Sequence, residues 1–137
     1  MIFIALILKS CNDVSRMETY ENQFDKFLSE LNTKDSIYLR LDTISGFDWD
    51  SLLIVGPYED IDNISLKEGL DLSGIPNVTK HHDRYILIGF LKNKKAKRYM
   101  ELQRNSFLDQ LLKNENTGHK IFAKEKSRFI IKGGNSF

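Results

Sequence analysis

Five carboxylates crowd into one stretch of the chain: Asp48, Asp50, Glu59, Asp60 and Asp62. Two chemistries could use such a cluster, calcium binding and paired acid–base catalysis. An EF-hand loop needs oxygen ligands at its first, third and fifth positions and a glycine at its sixth. Counted from Asp60, the fifth residue is Ile64 and the sixth Ser65; counted from Asp48, the fifth is Leu52. Neither register fits. Asp48 and Asp50 share a face of an extended chain, which glycosidase chemistry does not require and metal binding only begins to satisfy. His81 and His82 point to opposite faces of an extended chain, and His119 lies far away in sequence, so no chelate follows. G-x-S-x-G, H-E-x-x-H, C-x-x-C, the Walker loop and the dinucleotide-binding glycine run are all missing from the sequence. The expectation is a non-enzymatic domain with no cofactor and no metal.

Cys11 is the only cysteine, so no disulfide can form within the chain. It follows an uninterrupted apolar run, residues 1–8, far short of the ~20 residues that span a bilayer. The run has the length of the apolar core of an export signal. Leu8-Lys9-Ser10-Cys11 resembles a bacterial lipobox, with Leu8 three residues before the thiol and the small Ser10 directly before it. That resemblance implies lipid attachment at Cys11 and a polar tether after it, which Asn12, Asp13 and Ser15 supply. Two residues depart from the pattern. Lys9 sits inside the lipobox, and no Lys or Arg precedes the apolar run. The alternative reading makes residues 2–8 a buried first strand of a cytoplasmic domain, because periodicity cannot assign such a run.

Phe47-Asp48-Trp49-Asp50, an apolar strand and Pro57-Tyr58 resemble a stretch found in small bacterial lipoproteins of unknown activity. The likeness covers about a dozen residues and implies class and location rather than mechanism. Trp49 can bury its ring while its indole N–H finds an acceptor. Alternatively Trp49 and Tyr58, with Asp48 and Asp50, form an exposed aromatic–acid contact for a ligand such as a sugar or peptide.

The one basic run holds Lys94, Lys95, Lys97 and Arg98 where a hairpin turn is expected, and it is either simply solvated or in contact with an anionic surface. With 20 basic against 19 acidic residues, the net charge of +1 implies neither nucleic acid nor an anionic membrane by charge alone, and no nucleic acid partner is expected. The expected partners are the membrane, through a lipid on Cys11, and a protein or envelope polymer.

The elements that must position these residues follow from hydrophobic spacing. Met17, Tyr20, Phe24, Phe27, Leu28 and Leu31 make a helical stripe over residues 15–31, with acids and lysine on the other face. Residues 37–41 alternate as a strand, and residues 52–55, apolar on both faces, form a strand covered on both sides. Gly56-Pro57 ends that strand, and Glu59, Asp60 and Asp62 open a short helix, followed by a loop from Leu66 to Pro76. Two hairpins are expected after it, residues 84–103 and 120–131, with a short helix over residues 107–113 capped by Ser106 between them. The order predicts an α+β fold, an N-terminal amphipathic helix on a mainly antiparallel sheet of about five or six strands. Residues 1–11 are the signal and anchor region, and residues 12–137 one globular domain. The reading that follows is a lipid-anchored bacterial envelope protein that binds rather than catalyses; the alternative is a cytoplasmic binding or immunity-type protein.

Overall fold

The computed structural model describes residues 14–30, 36–104, 106–112 and 118–131. Cys11, the lipobox-like residues, the run 2–8 and Leu31 lie outside the described residues, as does the side chain of Ser106.

The fold is α+β. In chain order the elements are β1 (Ser15–Arg16), α1 (Glu18–Ser29), β2 (Ile37–Arg40), β3 (Ser51–Val55), α2 (Ile61–Glu68), β4 (Tyr85–Lys92), β5 (Lys95–Gln103), α3 (Ser106–Asp109), β6 (His119–Ala123) and β7 (Arg128–Ile131). Five strands form one sheet in the order β1-β5-β4-β3-β6, antiparallel except for the β1–β5 pair. β2 and β7 form a separate antiparallel ribbon.

Unbroken apolar runs make β3 and β4 interior strands, since each alternate side chain then finds its own layer. Leu52, Ile54, Ile86, Ile88, Phe90 and Met100 face one way, against Met17 at the start of α1, Leu28 within it, and Ile37, Leu39 and Ile131 of the ribbon. Leu53, Val55, Leu87 and Leu91 face the other way, against Ile61 and Ile64 of α2 and Leu70, Leu72 and Ile75 of the loop after it. Both sheet faces are therefore covered by elements drawn from the described residues.

Three expectations need correction. Residues 120–131 are not a hairpin: β6 pairs with β3, whereas β7 pairs with β2. A 3-10 turn at Lys124–Lys126 redirects the chain from one sheet to the other, and Phe122 packs edge-on against Phe129 across the step, centroids 4.9 Å apart. The loop expected from Leu66 begins later, because α2 runs to Glu68 and ends where Gly69 turns left-handed (φ 66°) and Leu70 N–H reaches the carbonyl of Ser65.

The third correction concerns the acids of the first helix. Glu21 is buried, and one of its carboxylate oxygens accepts the backbone N–H of Glu101 at 3.0 Å. Asp25 accepts that of Gln103 at 3.1 Å. β1 is only two residues long, so these carboxylates take over the role of a neighbouring strand along the rest of the β5 edge. An edge occupied in this way is closed to pairing with another chain.

Candidate functional site

The β4–β5 hairpin gathers most of the side chains expected to act. Its turn residues Asn93 and Lys94 both have positive φ, 51° and 67°, the geometry of a two-residue hairpin turn. Asp50 accepts the N–H of Asn93 at 2.9 Å, and Asp48 pairs with Lys92 at 3.3 Å. On the other side, Asp71 bridges to Lys95, and its carboxylate is held below the usual range, chiefly by the hydroxyl of Ser73. Asp48 and Asp50 are thus spent on holding a turn. The basic run starts at the turn and continues into β5. Lys94 is exposed at the tip, whereas the guanidinium of Arg98 stacks over Phe47, 5.1 Å from the ring centroid.

Trp49 belongs to the core, which removes it from the set of exposed ligand contacts. It is 2% exposed, donates its indole N–H to the carbonyl of Ile44 at 2.9 Å and meets Phe90 edge-on. Trp49 and Tyr58 also flank opposite ends of β3, so they cannot grip one ligand together.

Tyr58 does the opposite. It is 63% exposed, and its φ of 62° is a conformation that costs an L-residue of order 1–2 kcal/mol. The loop that follows α2 pins the strained turn. Thr79 donates its hydroxyl to the carbonyl of Glu59 at 2.7 Å, while Asn77 donates to Asp60 at 2.6 Å and accepts the N–H of Ile61 at 3.0 Å. Asp60 caps α2 by accepting the N–H of Asp62 at 3.0 Å. The Asn77 amide, then the cap bond and Lys80, hold the Asp60 carboxyl below its ordinary value.

That depression sets a pH dependence. A carboxyl lowered in the folded state contributes stability that is present above the unfolded value, about 4, and lost as pH falls through the folded one. Asp60→Asn keeps a good helix cap but cannot titrate. Its urea midpoint is expected to fall less steeply than that of the wild type below about pH 4. Equal slopes would show that Asp60 carries no such linkage.

Beside Tyr58, pairing of Val55 with His119 brings together three residues that no sequence motif links. The ring of His119, its side chain 7% exposed, lies between two carboxylates: Glu59 at 3.1 Å from Nδ1 and Glu68 at 3.7 Å from Nε2. Gly118 is needed here, because a β carbon at that position would stand 2.6 Å from Cγ of Glu59. A depression of about 350 Å³ opens over Glu59 and His119, lined also by Tyr58, Asn63, Lys67 and Gly118 among others. Both ring nitrogens face carboxylates on opposite sides, so the histidine orders the floor and the three groups do not converge on one point. Among the described residues no group of three or more His, Cys, Asp or Glu is disposed to hold a metal ion. Sequence reading set His119 aside for want of a neighbour; the missing information was the strand register, which carries no local signal.

A second concavity of about 370 Å³ runs between β6 and β7, lined by Leu111, Phe122, Phe129 and Ile130 with Lys120 and Arg128 at its rim. Ile130 also forms an exposed cross-strand pair with Tyr38. Among the described residues no helix is long and apolar enough to cross a membrane. No family model matches the chain, and no match is found among curated proteins or solved structures.

Proposed function

We propose that this chain is a lipid-anchored bacterial envelope protein, held through Cys11, whose domain binds a protein or envelope component at the depression beside Tyr58. The observation that carries the binding half is Tyr58 itself. A large aromatic side chain is held out in solvent, on a left-handed backbone, above a floor ordered by Glu59, His119 and Glu68. Backbone strain of this kind persists where the surroundings over-determine it, and it concentrates at ligand-binding positions. The anchor half rests on the lipobox-like Leu8-Lys9-Ser10-Cys11 and the apolar run before it.

The two halves are tested separately. Cells fed an alkyne fatty acid should label the wild type and not Cys11→Ser; an unlabelled wild type that stays in the soluble fraction would sink the anchor. A photo-crosslinking residue at position 58 should form an adduct in cells that one at Leu66, 84% exposed on α2, does not. Tyr58→Gly removes the ring and relaxes the positive φ, so it should keep or raise the melting temperature while abolishing capture of that adduct's partner. Equal adducts from both positions would defeat the binding site.

A further inference from the structure

The direction of β1 joins two features that lie far apart in sequence. β1 runs parallel to β5, with Ser15 beside Arg98 and Arg16 beside Tyr99. Parallel strands begin at the same end, so the chain enters β1 from the end where β5 begins, at the Asn93–Lys94 turn. Contacts fix that end further: Val14 packs against Gly74, and Asp71, three residues before it, pairs with Lys95. Cys11 precedes Ser15 by four residues in the chain.

The same end collects cationic side chains. The antiparallel neighbours of β5 bring the end of β4, the start of β3 and the end of β6 alongside the hairpin turn. Lys94, Lys95, Lys97 and Arg98 are therefore joined there by Lys124 and Lys126 of the turn after β6. The carboxylates nearby are Asp48, Asp50, Asp71 and Glu125. Asp48 pairs with Lys92, while Asp50, Asp71 and Glu125 keep their negative charge, which sets three carboxylates against the six cations named. A chain with a net charge of only +1 thus concentrates positive charge at the end where its tether enters.

We propose that this basic end rests on anionic phospholipid headgroups, so that Cys11 and the β4–β5 hairpin hold the domain on the membrane together. The inference depends on the anchor at Cys11 proposed above. Basic residues beside a membrane insertion point are attracted to anionic headgroups within a Debye length. The depression at Tyr58 lies at the opposite end of β3 and points away from the bilayer.

The single cysteine allows a direct test. The full chain is coupled through Cys11 to a maleimide-headgroup lipid in vesicles of phosphatidylcholine, alone or with phosphatidylglycerol. Amine acetylation is then followed residue by residue by mass spectrometry. Lys94 should be acetylated about fivefold more slowly on the anionic vesicles, and high salt should remove the protection. Lys80, held near Asp60 at the opposite end, should react equally on both. Equal Lys94 rates on the two vesicle types, or equal slowing of Lys80, would overturn the orientation. Because the vesicle experiment supplies the lipid chemically, its failure is distinct from a failure of Cys11 to be acylated in cells.

Discussion

Trp49→Ala is expected to destabilise the domain by about 4 kcal/mol, the middle of the range for truncating a buried large aromatic. The indole is 2% exposed, meets Phe90 edge-on with centroids 4.9 Å apart, and lies beneath the ammonium group of Lys124 at 4.8 Å. Truncation opens a cavity between the main sheet and the 3-10 turn. It also leaves the carbonyl of Ile44 without its 2.9 Å donor, a loss of about 1 kcal/mol within that total. Trp49→Phe keeps most of the packing and forfeits the hydrogen bond, so it should cost about 1–2 kcal/mol. Since this is the only tryptophan, unfolding must be followed by far-UV circular dichroism rather than by fluorescence. A single domain of this kind has about 5–15 kcal/mol in all, so the alanine variant should sit close to unfolding at 37 °C. A loss below about 1 kcal/mol would mean that Trp49 is not the packed residue described here.

What the sequence disclosed depended on the range of the signal. Leu52–Val55, apolar at every position and closed by Gly56-Pro57, reads as a strand buried on both faces, and β3 is one. The stripe Met17, Tyr20, Phe24 and Leu28 located α1 by the same logic, as three-and-four spacing has one structural reading. Local chemistry was legible too. Asp60 caps α2, and the polar tetrad at Lys92–Lys95 makes the hairpin turn. The illegible parts were decided across distance. Nothing near Arg128 says whether β7 joins β6 or β2, because both alternatives bury Phe129 and Ile131. Nothing near Glu21 distinguishes it from the other acids of its helix; its burial follows from the two-residue length of β1. The Glu59–His119–Glu68 group is hidden for the same reason, being assembled by the β3–β6 register. Resemblance at Trp49 and Tyr58 located two conspicuous residues, but it could not say that one faces inward and the other out.

The two ends of the sheet also differ in how they are built, and the difference bears on what each can do. At the hairpin end, the carboxylates of Asp50 and Asp71 accept backbone N–H groups, and Lys94 is exposed at the tip of the turn. At the Tyr58 end, hydrogen bonds from Asn77 and Thr79 fix the backbone, while the carboxylates of Glu59 and Glu68 remain partly exposed around His119. The first arrangement suits a diffuse, salt-sensitive attraction that tolerates small movements. The second suits recognition, which requires groups whose positions are set before the ligand arrives.

The second large effect is expected at Glu21. Its carboxylate accepts the Nε–H of Arg16 at 2.9 Å and the backbone N–H of Glu101 at 3.0 Å, with 6% of the side chain exposed. Arg16 reaches Glu101 as well, at 3.1 Å, so one guanidinium ties β1, α1 and β5 together. Burial pushes the carboxyl of Glu101 above its usual range, and the neighbouring charge of Glu21 adds to that, against the pull of Arg16. Glu21→Ala removes an ion-pair partner and orphans a backbone donor in the same step. Breaking a buried pair costs 3–5 kcal/mol, but Arg16 is 40% exposed and can turn to water, so about 2–3 kcal/mol is expected. Glu21→Gln keeps an amide oxygen for the Glu101 N–H and should cost about half as much. Hydrogen exchange separates this role from a general loosening. In Glu21→Ala the amide of Glu101 should lose its protection. That of Gln103, held by Asp25 at 3.1 Å, should exchange as in the wild type. Equal loss at both amides would show that α1 detaches as a unit, and that no single carboxylate closes this edge.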